Sequence, residues 1–201
     1  MKKIIWIAVP LVIVFLGWSL FSGDDSAYLD QINEEIEERK DFLRNDAQSP
    51  FVLFEVPYQE PAYFPIEAKY RVNARVERLS SKSVIQLPDN KGQKQRYQRF
   101  AWLHFRLEGQ PHKLMVLKPA GGFGGDFFFL AFSDETSGET SYGGGRYLDL
   151  EIGKSDKVVL DFNLAYSPYC AYVDEYSCPL PLRENRLNLP IKAGEKFIYD
   201  Y

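Results

Sequence analysis

Eighteen consecutive uncharged residues, Ile4–Phe21 (IIWIAVPLVIVFLGWSLF), constrain this chain more than any other feature. As a helix rising about 1.5 Å per residue, the run reaches roughly 27 Å, enough for the hydrocarbon core of a bilayer. The competing reading is a cleavable signal peptide, whose apolar core is shorter (about 7–15 residues) and ends at small residues. Here the run ends Trp18-Ser19-Leu20-Phe21, with no A-x-A site after it and no Cys to take a lipid. Pro10 and Gly17 are tolerated in membrane helices. Lys2 and Lys3 on one flank and Asp24 and Asp25 on the other orient the segment N-terminus inside by the positive-inside rule. The expectation is an uncleaved single-pass anchor over residues 1–22 in the cytoplasmic (inner) membrane. The membrane is then one partner, and the remaining chain lies outside the cytoplasm.

After a polar break at Ser22–Ser26, Leu29, Ile32, Ile36 and Leu43 fall on one helical stripe. Glu34, Glu35, Glu37, Glu38 and Asp41 occupy the other positions. This predicts an acidic amphipathic helix and linker over residues 23–48. Beyond Ser49-Pro50 the helical period disappears. Tyr70, Val72, Ala74 and Val76 alternate with Arg71, Asn73, Arg75 and Glu77, the mark of a half-exposed strand. Further strands are predicted at Val84–Leu87, Arg99–Leu107, Lys113–Leu117, Arg146–Ile152, Val158–Phe162, Arg186–Ile191 and Lys196–Tyr199. The continuous apolar run Phe127–Phe132 reads as a strand buried on both faces. A content of 15% aromatics favours the same pleated surfaces. Residues 49–201 are therefore expected to form an all-β domain, an antiparallel β-sandwich or flattened barrel.

A net charge of -4 argues against a nucleic-acid binder, whose affinity must come from phosphate contacts. The sum hides an asymmetry. From Asp24 to Glu60 eleven acids face only Arg39, Lys40 and Arg44, and from Lys69 to Lys118 twelve bases face only Glu77, Asp89 and Glu108. The two segments either neutralise one another or are simply solvated, or the second forms a basic face for an anionic ligand or lipid head groups.

Two loops are long, polar and aromatic inside an otherwise economical domain: Ser133–Gly145 (SDETSGETSYGGG) and Asn163–Asn185 (NLAYSPYCAYVDEYSCPLPLREN). The stretches DETSGETSYGGGRYLDL, LDFNLAYSPYCAYVDEYSCPLPLREN and IKAGEK, with the earlier YFPIEAKYRVNARV, resemble the bacterial and archaeal family catalogued as domain of unknown function sixteen eighty-four. The resemblance covers nearly everything after the N-terminal helix. It implies no activity, cofactor or substrate, and Tyr166-Ser167-Pro168 stands where the family reads Tyr-Asn-Pro.

The residues themselves leave several chemistries open. Cys170 and Cys178, the only cysteines, would form a disulfide in a compartment that permits one. Buried thiols, a nucleophile paired with His104, and zinc on the same three residues are alternatives, though no C-x2-C or H-x3-H spacing supports a metal site. No cofactor motif is present; Gly143-Gly144-Gly145-Arg146 lacks the spacing of a phosphate loop and reads as a close approach of backbone to sheet. Asp149, Asp161 and Glu184 are candidate paired carboxylates for an extracytoplasmic hydrolase, with Arg146 as electrostatic partner. Tyrosines such as Tyr166 and Tyr172, with Asn163 and Asn185, suit a small polar ligand or an envelope protein partner. The leading expectation is a cell-envelope binding module with one concave site between the two loops, formed by Arg146, Asp149, Asp161, Asn163, Tyr166, Tyr172, Glu184 and Asn185.

Overall fold

In the computed structural model, which describes residues 26–81, 83–121 and 127–197, the alternating stretches pair into one antiparallel sheet. The apolar run Ile4–Phe21 lies outside the described residues; among those described, no helix is long and apolar enough to cross a membrane. Residues 26–45 form helix α1. The chain divides into two compact units, residues 1–38 and 39–201, and every strand belongs to the second. In that unit a four-residue helix, α2 (Pro50–Leu53), is capped by Ser49, whose hydroxyl oxygen accepts from Phe51 N at 3.2 Å.

The main sheet contains β2 (Arg71–Arg78), β3 (Val84–Pro88), β4 (Lys94–Leu107), β5 (Gln110–Pro119) and β8 (Lys157–Asp161). β4, at 14 residues, carries β5 along one edge and β3 followed by β2 along the other; β8 closes the far side of β2. Ala74, Val76, Ala101, Leu103, Phe105, Leu114, Val116 and Leu160 turn inward from this sheet. They pack on Phe128, Leu130, Phe132, Leu148, Phe162, Leu187 and Ile191 of a second, less regular layer. A β-bulge between Arg99 and Ala101 shifts the β4–β5 register. Beyond it, Tyr97 and Leu117 join Leu87, Met115, Phe129 and Ala131 in a smaller cluster. The result is mostly antiparallel β structure in two layers, consistent with a β-sandwich.

The second layer is built from short ladders. β6 (Ala131–Phe132) pairs with β7 (Arg146–Tyr147), Leu117 bridges Phe129, and Tyr147 bridges Tyr166. β1 (Ala62–Tyr63) pairs with β9 (Glu195–Lys196).

Three expectations are corrected. Within Phe127–Phe132 only the last two residues are strand, although alternate residues do enter opposite clusters. The strand predicted over Arg146–Ile152 is confined to its first two residues and does not pair with Val158–Phe162. β7 is two residues long, its Tyr147 N–H and C=O are taken by Tyr166, and Val158 and Leu160 fit opposite Ala74 and Val72 of β2. Arg186–Ile191 buries Leu187, Leu189 and Ile191 alternately but is no strand. Pro190 has no N–H to give a ladder, and the Ile191 N–H and C=O go to the side chains of Asp134 and Arg146.

Candidate functional site

The exit of β7 and the second long loop are held together by paired backbone bonds. Tyr147 N–H donates to Tyr166 O at 2.8 Å and Tyr166 N–H donates back to Tyr147 O at 3.0 Å. Farther along the loop, the turn Pro88–Gly92 of the β3–β4 hairpin acts as a clamp. Cys178 N–H donates to Asn90 Oδ1 at 2.8 Å, Asn90 Nδ2 donates to Tyr176 O at 3.1 Å, and Leu180 N–H donates to Pro88 O at 2.9 Å. A loop rich in proline is thereby fixed at both of its ends.

Between these supports lies a pocket of about 370 Å³, within the range of small-molecule sites. Eight of the described aromatic residues line it, among them Tyr97, Phe129, Tyr147, Tyr166, Tyr169 and Tyr176. The rings contact one another in series, Tyr97 to Phe129 at 5.1 Å, Phe129 to Tyr147 at 5.0 Å and Tyr147 to Tyr166 at 6.1 Å between centroids. Tyr169 meets Tyr176 at 5.2 Å. Edge-on and tilted contacts of this kind hold rings at fixed angles.

The polar groups of the pocket are few. Asp149 is exposed and is the one acid among the described lining residues; its Oδ1 accepts from the Tyr166 hydroxyl at 2.7 Å. The Arg39 guanidinium lies over the Tyr166 ring, 3.8 Å from its centroid, and its Nε stands 3.9 Å from Glu195 Oε2. Burial pushes the Tyr147 and Tyr166 phenols above their usual range, and the neighbouring Asp149 carboxylate adds to the shift at Tyr166. Both phenols are therefore held as proton-bearing donors.

Cys170 and Cys178 are free thiols, both buried, which corrects the expected disulfide. Cys170 N–H donates to Cys178 Sγ at 3.2 Å. A hydrogen bond between the thiols, with burial second, raises Cys170, and the same bond lowers Cys178. His104 is not with them. It stands on β4 with Nε2 2.7 Å from Glu77 Oε2. Among the described residues no three His, Cys, Asp or Glu side chains are grouped to hold a metal ion.

The remaining sequence candidates go to different places. Asp149 and Tyr166 line the pocket. Arg146 is fully buried beneath the second layer, where Nη2 reaches Asp134 Oδ2 and Ile191 O, both at 2.8 Å. Its Nη1 donates to the carbonyls of Ala193 and Glu195. Tyr172 packs its ring 5.3 Å from Phe51 and donates its hydroxyl to the buried Glu195. Asp161 caps a turn by accepting from Asn163 N–H at 3.0 Å, and the Asn163 amide exchanges bonds with Glu67 N–H and C=O at 3.1 and 3.0 Å. Asn185 does the same for Met115, accepting at 2.7 Å and donating at 2.9 Å, and also donates to Ala131 O at 2.9 Å. Glu184 is paired with Arg99. Of the three carboxylates considered for hydrolysis, only Asp149 reaches the pocket.

Sequence reasoning missed Tyr97, Phe129 and Arg39. Phe129 belongs to a run that reads only as a buried strand, Tyr97 falls between the strands predicted at Val84–Leu87 and Arg99–Leu107, and Arg39 reads as one charge among many acids. Their joint signal is tertiary, because three distant segments converge on the second loop.

A family model described as "Protein of unknown function (DUF1684)" matches residues 57–196. The solution NMR structure of an uncharacterized protein from Haloarcula marismortui is 33% identical, covering 87% of this chain and 96% of that one with a TM-score of 0.65. No curated protein matches. The matched span takes in the main sheet, both long loops and the walls of the pocket other than Arg39, and the chain belongs to the DUF1684 family.

Proposed function

We propose that the chain is a binding module held at the outer face of the cytoplasmic membrane by its N-terminal apolar run, and that the tyrosine-walled pocket is its ligand site. The observation that carries this is a 370 Å³ cavity with eight aromatic residues and a single acid among its described lining residues. Such walls favour a flat or apolar body, and ring faces together with a carboxylate favour a cationic or donor head. The ligand class is therefore a small aromatic or alicyclic molecule carrying an amine or an equivalent donor. Ile4–Phe21 supports the anchor by its length and its asymmetric charged flanks.

The test uses the full chain in uncharged detergent and saturation-transfer NMR with 2-phenylethylamine, 2-phenylethanol and phenylacetate. The expected order is amine, then alcohol, then acid. Asp149→Asn should flatten the order, and Tyr169→Ala should abolish the signal. Equal transfer in the wild type and both variants would refute the assignment. For the anchor, carbonate-washed membranes should retain the chain with its N-terminus intact; a soluble product starting near Ser22 would refute it.

A further inference from the structure

Across the main sheet one row is made of basic residues alone. Register sets Lys157 opposite Arg75, Arg75 opposite His104, and His104 opposite Lys113. Directly paired residues project to the same face, so these four side chains stand side by side over roughly 14 Å at the usual strand spacing. Arg106, two positions along β4 from His104, shares the face, diagonal to Arg75. Like charges placed opposite one another destabilise a sheet, and the Arg75–Lys157 pairing does so in a chain whose net charge is -4. Glu77 is the acid that answers them, with Oε2 2.7 Å from His104 Nε2 and 3.8 Å from Arg75 Nη2. One carboxylate does not balance the row. Arg75, Arg106 and Lys157 are exposed, and with His104 and Asn73 they border an open groove of about 480 Å³.

We propose that this groove is a phosphate-binding site, distinct from the tyrosine pocket. The Arg75 and Arg106 guanidiniums and the Lys157 ammonium hold a phosphoryl group, with the Asn73 amide as a further donor. A carboxylate would leave most of the row's charge unmet. A phosphate brings a second negative charge and three oxygens suited to guanidinium forks. The same phosphoryl chemistry is offered by a soluble phosphate ester and by an anionic lipid headgroup.

The probe is sodium pyrophosphate, titrated calorimetrically into the full chain in nanodiscs of phosphatidylcholine. Saturable binding is expected, weakened at least fivefold by Arg75→Ala or Lys157→Ala and at least twentyfold by the pair. Arg183→Ala, an exposed base outside the row, should change it less than twofold. Melting temperatures should stay at or above that of the wild type; Arg75→Gln and Lys157→Gln replace any alanine variant that falls below it. A second arm adds phosphatidylglycerol to the discs. Unchanged pyrophosphate affinity assigns the site to a soluble phosphate, and weakened affinity assigns it to the headgroup, which competes. No saturable binding in phosphatidylcholine discs, or an equal loss in Arg183→Ala, would overturn the proposal.

Discussion

Replacing Arg146 by Met tests whether the most buried charge of the domain is scaffold. Methionine fills similar length without polar atoms, so the loss is electrostatic and not a cavity. It orphans the Asp134 carboxylate, which is 1% exposed, together with the carbonyls of Ile191, Ala193 and Glu195. Removing one partner of a buried pair destabilises by about 3–5 kcal/mol, and each stranded carbonyl adds roughly 1 kcal/mol. Asp134 keeps donors from Thr136 and Ile191 N–H, which lowers the total to about 4–6 kcal/mol. At about 2–4 °C per kcal/mol for a domain of this size, the melting temperature should fall by roughly 10–20 °C. Thermal unfolding of the full chain followed by far-ultraviolet circular dichroism measures it. Asp134→Asn in the same background should give less than the sum of the two single losses, with a coupling of about 2 kcal/mol. A contact made only to a ligand would leave the melting point within a few degrees. A fall below about 2 °C, or strict additivity with Asp134→Asn, would refute the scaffold role.

Three shorter expectations follow from the same interior. Gly194 has φ +74°, and a Cβ there would meet the Ala165 carbonyl and lie 2.7 Å from Phe162 O; Gly194→Ala should lower urea stability by about 2–4 kcal/mol, and a loss under 1 kcal/mol would count against the close approach. Burial holds the Glu195 carboxyl above its ordinary range, so its stabilising contribution is complete at low pH and is lost as pH rises through the raised value. The melting temperature of Glu195→Gln minus that of the wild type should therefore grow from pH 4 to pH 8; a constant or shrinking difference would contradict the sign. Thiol titration in denaturant without reductant should count two reactive sulfurs, Cys170 and Cys178; a count of zero would restore the bridge.

The sheet was legible because its strands alternate. Ala74 and Val76 on β2 and Ala101, Leu103 and Phe105 on β4 announce an inner face before any coordinate is known. Pairing partners were less legible. Only four residues separate 146–152 from 157–161, yet which edge a strand joins depends on whose backbone groups are still open. Tyr147 had already spent both on Tyr166. Leu187, Leu189 and Ile191 show strand periodicity without a strand, because burial alternates wherever a chain runs flat along a core. Of the site, Tyr166 follows from loop composition and Asp149 from the search for paired carboxylates. Arg146, Asn163 and Asn185 carry the same polar signature but are directed inward, since only a three-dimensional count of orphaned carbonyls separates a buried stitch from an exposed contact.

Asn163 and Asn185 also bear on how this domain can change. A ladder is written in backbone atoms that every residue but proline possesses, so a strand keeps its geometry while its exposed letters drift. These two amides are peptide groups carried on side chains, joined to the backbones of Glu67, Met115 and Ala131. Aspartate lacks the donor, glutamine is one methylene too long, and alanine offers neither atom. A saturating mutational scan would then run opposite to the usual map, with permissive positions along the regular sheet and strict ones in the coil. The part of the domain with the least secondary structure is the part with the fewest admissible spellings.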